Sequence, residues 1–324
     1  MTAAIAGSNP MRVLVAYDGS ASAQAALRAA AELLPGADAV VLTVYEAPVR
    51  LEHLLAAHGP TPSPLEHDVA DLRRLMQDEA KATAREGAEL ASEAGLAAKA
   101  DIAAATGSAW PVILAEATQR ECAALVCGTR GRGGLSRAWL GSTSSALLHH
   151  ATLPILVVPE RSPEPSGPLL LAYDGSEPAR TAVTTAAQLF PGRPAVVMHA
   201  WESPLRHSVA GHALSSLPIT DIRESVKDLD EILANSARQQ AEEGAELARQ
   251  RGLEARSESV ESAAGVWRSL LEATVPLGAG VIVAGSRGRG AIASTMLGSV
   301  SSGLVHNAEL PVLIVPSLSA ARST

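Results

Sequence analysis

The chain is one unit written twice, and that repetition limits it to folds that a domain of about half its length can complete alone. VLVAYDGSASA, beginning at Val13, returns as LLLAYDGSEPA, beginning at Leu169. LLPGADAVVLTVYEAP returns as LFPGRPAVVMHAWESP, EGAELASEAGL as EGAELARQRGL, and LHHATLPILVVP as VHNAELPVLIVP. GSAWPVILAEAT has its counterpart in AAGVWRSLLEAT, which matches Trp110 with Trp267. A length of 324 residues suits two domains. The boundaries expected are 1–159 and 168–318, joined by a Pro-, Ser- and Gly-rich linker over 160–167.

Within a unit, apolar runs of strand length alternate with helical periodicity. Strands are expected at 12–17, 39–45, 97–104, 123–127 and 154–158. Ser20 can cap a first helix whose apolar face is Ala26, Ala29, Ala30 and Leu33, and Pro35-Gly36 ends it. Ser176 and Pro191-Gly192 repeat those signals. After a Pro- and His-rich loop, a long helix is expected over 68–94, with Val69, Leu72, Leu75 and Met76 inward. Its twin spans 221–250, with Ile222, Val226, Leu229 and Leu233 inward. A third helix is expected at 110–121 and a fourth at Ser142–His150. Strands separated by helices imply right-handed parallel crossovers and an α/β, doubly wound sheet in each of two tandem domains.

The chemistry of the chain is concentrated in one loop of each unit. GTRGRGGLSRAWLGS runs from Gly128 to Ser142 and returns as GSRGRGAIASTMLGS from Gly285 to Ser299. Each copy follows a buried-strand run, so it leaves the carboxyl edge of the sheet, where ligands of open α/β folds bind. Gly128, Gly131, Gly133 and Gly134 let backbone N–H groups approach a bulky anion. Arg130, Arg132 and Arg137 add planar, permanently charged donors suited to phosphate. Gly141-Ser142-Thr143 then opens a helix, whose unpaired amides and dipole favour an anion. Together these features form a cradle for a di- or triphosphate. One such loop could equally be a tight turn with solvated arginines, and the second copy weighs against that reading.

A net charge of −8 argues against a nucleic-acid surface and makes the loop arginines local exceptions. The two cysteines, Cys122 and Cys127, lack metal-site spacing and read as buried small side chains in a reducing compartment. MTAAIAGSNP is not a signal peptide, and no apolar run reaches the ~20 residues of a membrane helix. The expectation is a cytoplasmic protein with no membrane or nucleic-acid partner. His53, His58, His67, His207 and His212 match no ligand pattern and read as solvated loop residues, so no metal site is expected. His149 and His306 end matching helices and suit the dipole there, and Trp110 and Trp267 read as packing residues.

These residues resemble the universal stress protein family of the nucleotide-binding type, whose signature is G-x2-G-x9-G-(S/T). Gly128, Gly131, Gly141 and Ser142 fit it without a gap, as do Gly285, Gly288, Gly298 and Ser299. Asp18 and Asp174 stand before Gly-Ser at the first strand's end, as in that family. The resemblance covers nearly the whole chain. It implies a five-stranded parallel sheet of order 3-2-1-4-5 in each domain, and last strands, 154–158 and 311–315, that pair with each other. It also implies that two tandem chains associate as a homodimer.

By the same resemblance the ligand is ATP or ADP, with Mg²⁺ held through the phosphates. Ala16, Tyr17 and Asp18 would lie beside adenine and ribose, and Val44 would meet the adenine edge. Gly128, Thr129, Arg130, Gly131, Arg132, Gly133 and Gly134 would wrap the phosphates, with Gly141, Ser142 and Thr143 completing the cradle. In the second unit the set is Ala172, Tyr173, Asp174, Ala200, Gly285, Ser286, Arg287, Gly288, Arg289, Gly290, Ala291, Gly298, Ser299 and Val300.

Ala291 replaces Gly134, Val300 replaces Thr143, and Ser294 replaces Arg137, so the second site is expected to hold phosphate less tightly. The function implied is a stress-response or signalling protein that uses the nucleotide as a switch toward an unidentified protein partner. The alternative is a slow ATPase or an adenylyl-transfer enzyme. No GxxxxGK[ST] lysine, general base or catalytic residue is assignable, so at most weak hydrolysis is expected. A dinucleotide dehydrogenase is disfavoured, because Gly131 and Gly133 are followed by Ser136 where G-x-G-x-x-G needs glycine.

Overall fold

A computed structural model describes residues 11–47, 64–131, 140–163, 165–203, 220–288 and 297–317, with backbone alone for 64–68 and 220–227. In the first repeat β1 (Arg12–Ala16), β2 (Asp38–Glu46), β3 (Ala97–Ala105), β4 (Ala124–Gly128) and β5 (Ile155–Val158) alternate with helices. These are α1 (Ala21–Leu33), α2 (Pro64–Glu93), α3 (Trp110–Gln119) and α4 (Ser142–His150). The second repeat has β6 (Leu169–Ala172), α5 (Glu177–Leu189), β7 (Pro194–Trp201), α6 (Thr220–Gln250) and β8 (Glu254–Glu261). It continues through α7 (Val266–Leu277), β9 (Val281–Gly285), α8 (Ser299–Asn307) and β10 (Val312–Val315). No helix among the described residues is long and apolar enough to cross a membrane.

The strand order is β3-β2-β1-β4-β5 in the first repeat and β8-β7-β6-β9-β10 in the second, which is 3-2-1-4-5 in each. The chain divides into two compact units, Met1–Leu147 with Val158–Glu160, and Leu148–Val157 with Arg161–Thr324. In the first unit β1 lies between β2 and β4, with Leu14 level with Val40 on one side and Leu125 on the other, all parallel. In the second, β6 lies between β7 and β9, with Leu170 level with Val196 and Ile282. Within that unit β10 runs parallel to β9 and antiparallel to β5, Leu313 facing Leu156.

Central strands covered on both faces need apolar side chains at every position, which is why LVC and VIVA are runs rather than alternations. Val13, Leu14, Val15, Leu125 and Val126 are fully buried, as are Leu169, Leu170, Ile282 and Val283.

The long helices pack through a different face from the one their leucines suggest. Leu72 is 42% exposed and Leu75 68%, against the inward placement expected for both. Leu229, Leu233 and Met76 are half-buried, and the side chains of Ile222 and Val226 lie outside the described residues. The buried stripe is Ala80, Thr83, Ala84, Ala88 and Ala91 in α2, and Ala237, Ala241, Ala245 and Ala248 in α6. The stripe contains Gly87 and Gly244, where a β-carbon would come within 2.6 Å of the Tyr17 ring and 2.7 Å of the Tyr173 ring. Small residues bring the helix against a tyrosine that caps the end of the first strand of the repeat. Branched side chains there would hold it off.

Candidate functional site

The site begins with a turn. After β1 the chain reaches Asp18-Gly19-Ser20, and Gly19 sits at φ +79°, a region open to glycine at little cost. That turn lets Asp18 Oδ1 accept the Ser20 N–H at 3.0 Å, an Asx-type contact. Ser20 Oγ in turn accepts the Ala23 N–H at 3.2 Å and caps α1. The second unit repeats the arrangement with Asp174, Gly175 at φ +76° and Ser176. The carboxylate is therefore both a turn former and a group held at the sheet edge. The capping and ligand-facing readings of Asp18 are compatible.

The glycine loop leaves the sheet and returns to the same point. Thr129 N–H donates to Val158 O at 3.0 Å, and Gly141 N–H donates to Thr129 O at 2.8 Å. Ser144 Oγ, in the first turn of α4, donates to Gly128 O at 2.7 Å. The second unit has the same three bonds: Ser286 N–H to Val315 O at 2.7 Å, Gly298 N–H to Ser286 O at 2.8 Å and Ser301 Oγ to Gly285 O at 2.6 Å. A β-carbon at Gly141 would lie 3.4 Å from Arg130 Cα, in van der Waals contact with the loop base.

A cavity of about 490 Å³ in the first unit lies over this base. A matching one of about 430 Å³ lies in the second. Both fall in the usual range of small-molecule sites. Of the residues named from sequence, Ala16, Tyr17, Asp18, Val44, Gly128, Arg130, Gly131, Gly141, Ser142 and Thr143 line the first cavity. Ala172, Tyr173, Asp174, Ala200, Gly285, Arg287, Gly288, Gly298, Ser299 and Val300 line the second. Thr129 and Ser286 do not line them and serve the loop base instead. Arg132, Gly133, Gly134, Arg289, Gly290 and Ala291 lie outside the described residues, as do Arg137 and Ser294.

Sequence reasoning missed the floor and one wall. Ala23, Leu42, Ala109, Ile113, Cys127, Ser144 and Leu147 complete the first cavity. Ala179, Met198, His199, Val266, Leu270, Ala284 and Ser301 complete the second. The wall from the third helix was detectable in principle, because Ala109 and Ile113 match Val266 and Leu270 in the repeat alignment. His199 Nδ1 stands 2.8 Å from Tyr173 O, where Thr43 Oγ1 donates to Tyr17 O at 2.9 Å in the first unit. The same carbonyl is thus met by an imidazole in one unit and a hydroxyl in the other.

Two tyrosines tie the cavities to the long helices. Tyr17 OH donates to Glu86 Oε1 at 3.2 Å, and Tyr173 OH to Glu243 Oε1 at 3.1 Å. Burial, then the Glu86 charge, raises the Tyr17 phenol. Burial pushes Tyr173 up to about 12, with Glu243 adding to the rise and Arg180 opposing it. At the wall of the first cavity, burial pushes the Cys127 thiol up to about 12.

The arrangement offers an apolar slot with polar groups at one end. Backbone amides of the first turn of α4 or α8, an arginine and a carboxylate converge beside Gly128, Gly131 and Gly141 or Gly285, Gly288 and Gly298. Such a site can hold a flat apolar ring with an anionic tail.

Comparison with known proteins agrees with this fold. The family model described as the universal stress protein family matches residues 10–159 and again 166–316. A universal stress protein of Mycolicibacterium smegmatis is 29% identical over 320 residues, covering 94% of this chain and 96% of that one. A universal stress protein of Mycobacterium tuberculosis is 29% identical over 250 residues, 74% of this chain and 77% of its own. The crystal structure of a universal stress protein from Archaeoglobus fulgidus superposes with a TM-score of 0.59 at 19% identity, covering 94% of this chain and 98% of that chain.

Proposed function

The chain belongs to the universal stress protein family, and from that premise we propose that it is a stress-response protein with an adenine-nucleotide site in each unit. The observation that carries the reading is the pair of cavities. Each joins an apolar slot to a closed glycine-loop base, with one arginine and one helix start at its rim. The residues fit the group: β-carbons at Gly131 and Gly288 would fill the space beside Asp18 and Asp174. Arg287 also keeps a buried Nε with no hydrogen-bond partner among the described residues.

Val44 or Ala200 in the apolar slot would hold the adenine, and Asp18 or Asp174 would accept from a ribose hydroxyl. The loop amides, Arg130 or Arg287 and the start of α4 or α8 receive the phosphates. Mg²⁺ is carried by the phosphates themselves. ATP or ADP acts here as a ligand whose occupancy is read by a protein partner, in a cytoplasmic homodimer of tandem chains. The loop between β2 and α2 lies outside the described residues over 48–63.

Calorimetric titration of the nucleotide-stripped protein with ATP and Mg²⁺ tests this, alongside Gly131→Asp and Gly288→Asp variants. Two sites, each abolished by its own substitution, are expected. No heat with ATP, ADP or AMP would refute the nucleotide reading.

A further inference from the structure

The two cavities use the same arginine differently. In the first unit Arg130 Nη2 pairs with Glu160 Oε2 at 3.5 Å, and the arginine is only 20% exposed while its partner is 40% exposed. Glu160 follows β5 at the start of the segment that the sequence presents as a linker. In the second unit the residue aligned with Glu160 is Ser317, since VVPE at 157–160 answers IVPS at 314–317. Its N–H donates to Ser286 Oγ at 3.2 Å, and it carries no charge. Arg287, the counterpart of Arg130, lines its cavity and forms no salt bridge among the described residues, and its buried Nε has no hydrogen-bond partner there.

We propose that Glu160 sets the phosphate preference of the first site. It competes with the ligand's phosphates for Arg130, so the first cavity distinguishes weakly between nucleotides of different charge. The second, where Arg287 forms no salt bridge among the described residues, favours the more highly charged one. This rests on the adenine-nucleotide reading above and deepens it.

The physical argument is one of substitution. A phosphate that reaches Arg130 either displaces the Glu160 carboxylate or lies beside it, gaining an attraction and incurring a loss or a repulsion of similar size. A phosphate that reaches Arg287 gains a donor that binding would otherwise leave buried and unpaired. Adenosine touches neither arginine in this arrangement, so its affinity is independent of residue 160. Counting arginines along the sequence ranks the first site as the stronger phosphate holder. Pairing reverses that for the one arginine the structure describes in each loop.

The test uses the full chain with one site blocked at a time, Gly288→Asp to isolate the first site and Gly131→Asp to isolate the second. The readout is the ratio of AMP to ATP dissociation constants, with Mg²⁺ present and adenosine as the uncharged control. The ratio is expected to be larger at the second site. Glu160→Gln should tighten ATP at the first site by about two- to fivefold, the range an exposed ion pair commands, and leave adenosine unchanged. Ser317→Glu should loosen ATP at the second site by a similar factor.

An ATP affinity unmoved by Glu160→Gln, or one that moves together with adenosine, overturns the proposal and leaves the nucleotide reading intact. Failure of both isolated sites to bind any of the three ligands overturns both.

Discussion

The carboxylate of Asp18 stands where Gly131 would place a side chain: a β-carbon there would come 2.6 Å from Asp18 Oδ2. Gly288 bears the same relation to Asp174, at 2.8 Å. Because Asp18 Oδ1 is tied to the Ser20 N–H, the carboxylate cannot move aside without breaking the turn that starts α1. Gly131→Ala is therefore expected to weaken ATP at the first site by at least about tenfold, or ~1.4 kcal/mol, and to leave the second site unchanged. Gly131 is exposed, so the melting temperature should shift by less than about 4 °C. Titration calorimetry and a thermal melt on the same sample check both statements.

Gly87 and Gly244 carry a different constraint. Alanine at either would gain up to ~1 kcal/mol of helix propensity. It would also press a methyl group into the Tyr17 ring at 2.6 Å or the Tyr173 ring at 2.7 Å, with Val41 or Val197 on the other side. Overpacking of a buried contact costs ~1–3 kcal/mol, so a net loss of about 1 kcal/mol is expected at each. Urea unfolding would show it, and a gain in stability would mean that the ring has room to move.

The Tyr173 phenol, pushed up to about 12, holds its proton more tightly than a phenol with the ordinary value of 10. A folded-state value raised in this way gives stability that is complete below about pH 10. That stability is lost as pH rises through about 12. In an ultraviolet titration of the folded protein, Tyr173 should ionise later than a free tyrosine. Glu243→Gln should bring the transition earlier, because that carboxylate opposes the phenolate.

Both cysteines are buried, and burial raises each thiol, Cys127 to about 12. At pH 8 only about one Cys127 in ten thousand would be thiolate. Ellman's reagent should therefore react with neither thiol in the folded protein within minutes and with both in guanidinium. Rapid labelling of the native chain would show that the packing over these thiols opens in the folded state.

Much of this fold could be read from the chain because its signals are local. The Ser20 and Ser176 caps, the Pro-Gly stops and the apolar runs of β1, β4, β6 and β9 each act within a few residues, and the elements form where those signals lie. The long helices were harder to orient. Leu72 and Leu75 suggest a core face by hydropathy, yet α2 turns its alanines and Gly87 inward. What decides its rotation is how closely it can approach Tyr17, a residue some seventy positions away.

The candidate site divided in the same way. Its glycines, Asp18 and the helix start are motif residues and were legible. Ile113 and Leu270 reach the cavities from α3 and α7 and are marked only by their match between the repeats, and nothing along the chain marks Met198 in β7. Glu160 looked like linker composition because an ion pair to residue 130 has no signature along the chain.

The bond from Gly141 N–H to Thr129 O closes each loop at its root, as Gly298 to Ser286 does in the second copy. A loop clasped in this way is mechanically insulated: changes between the two glycines need not propagate into the sheet. The duplicated copies have already used that freedom, with LSRAW in one where IASTM stands in the other, while the residues of the clasp kept their roles. The architecture thus separates the residues that close the loop from those that differ between the copies. One chain can thereby hold two cavities whose loops diverge without putting each other's scaffold at risk.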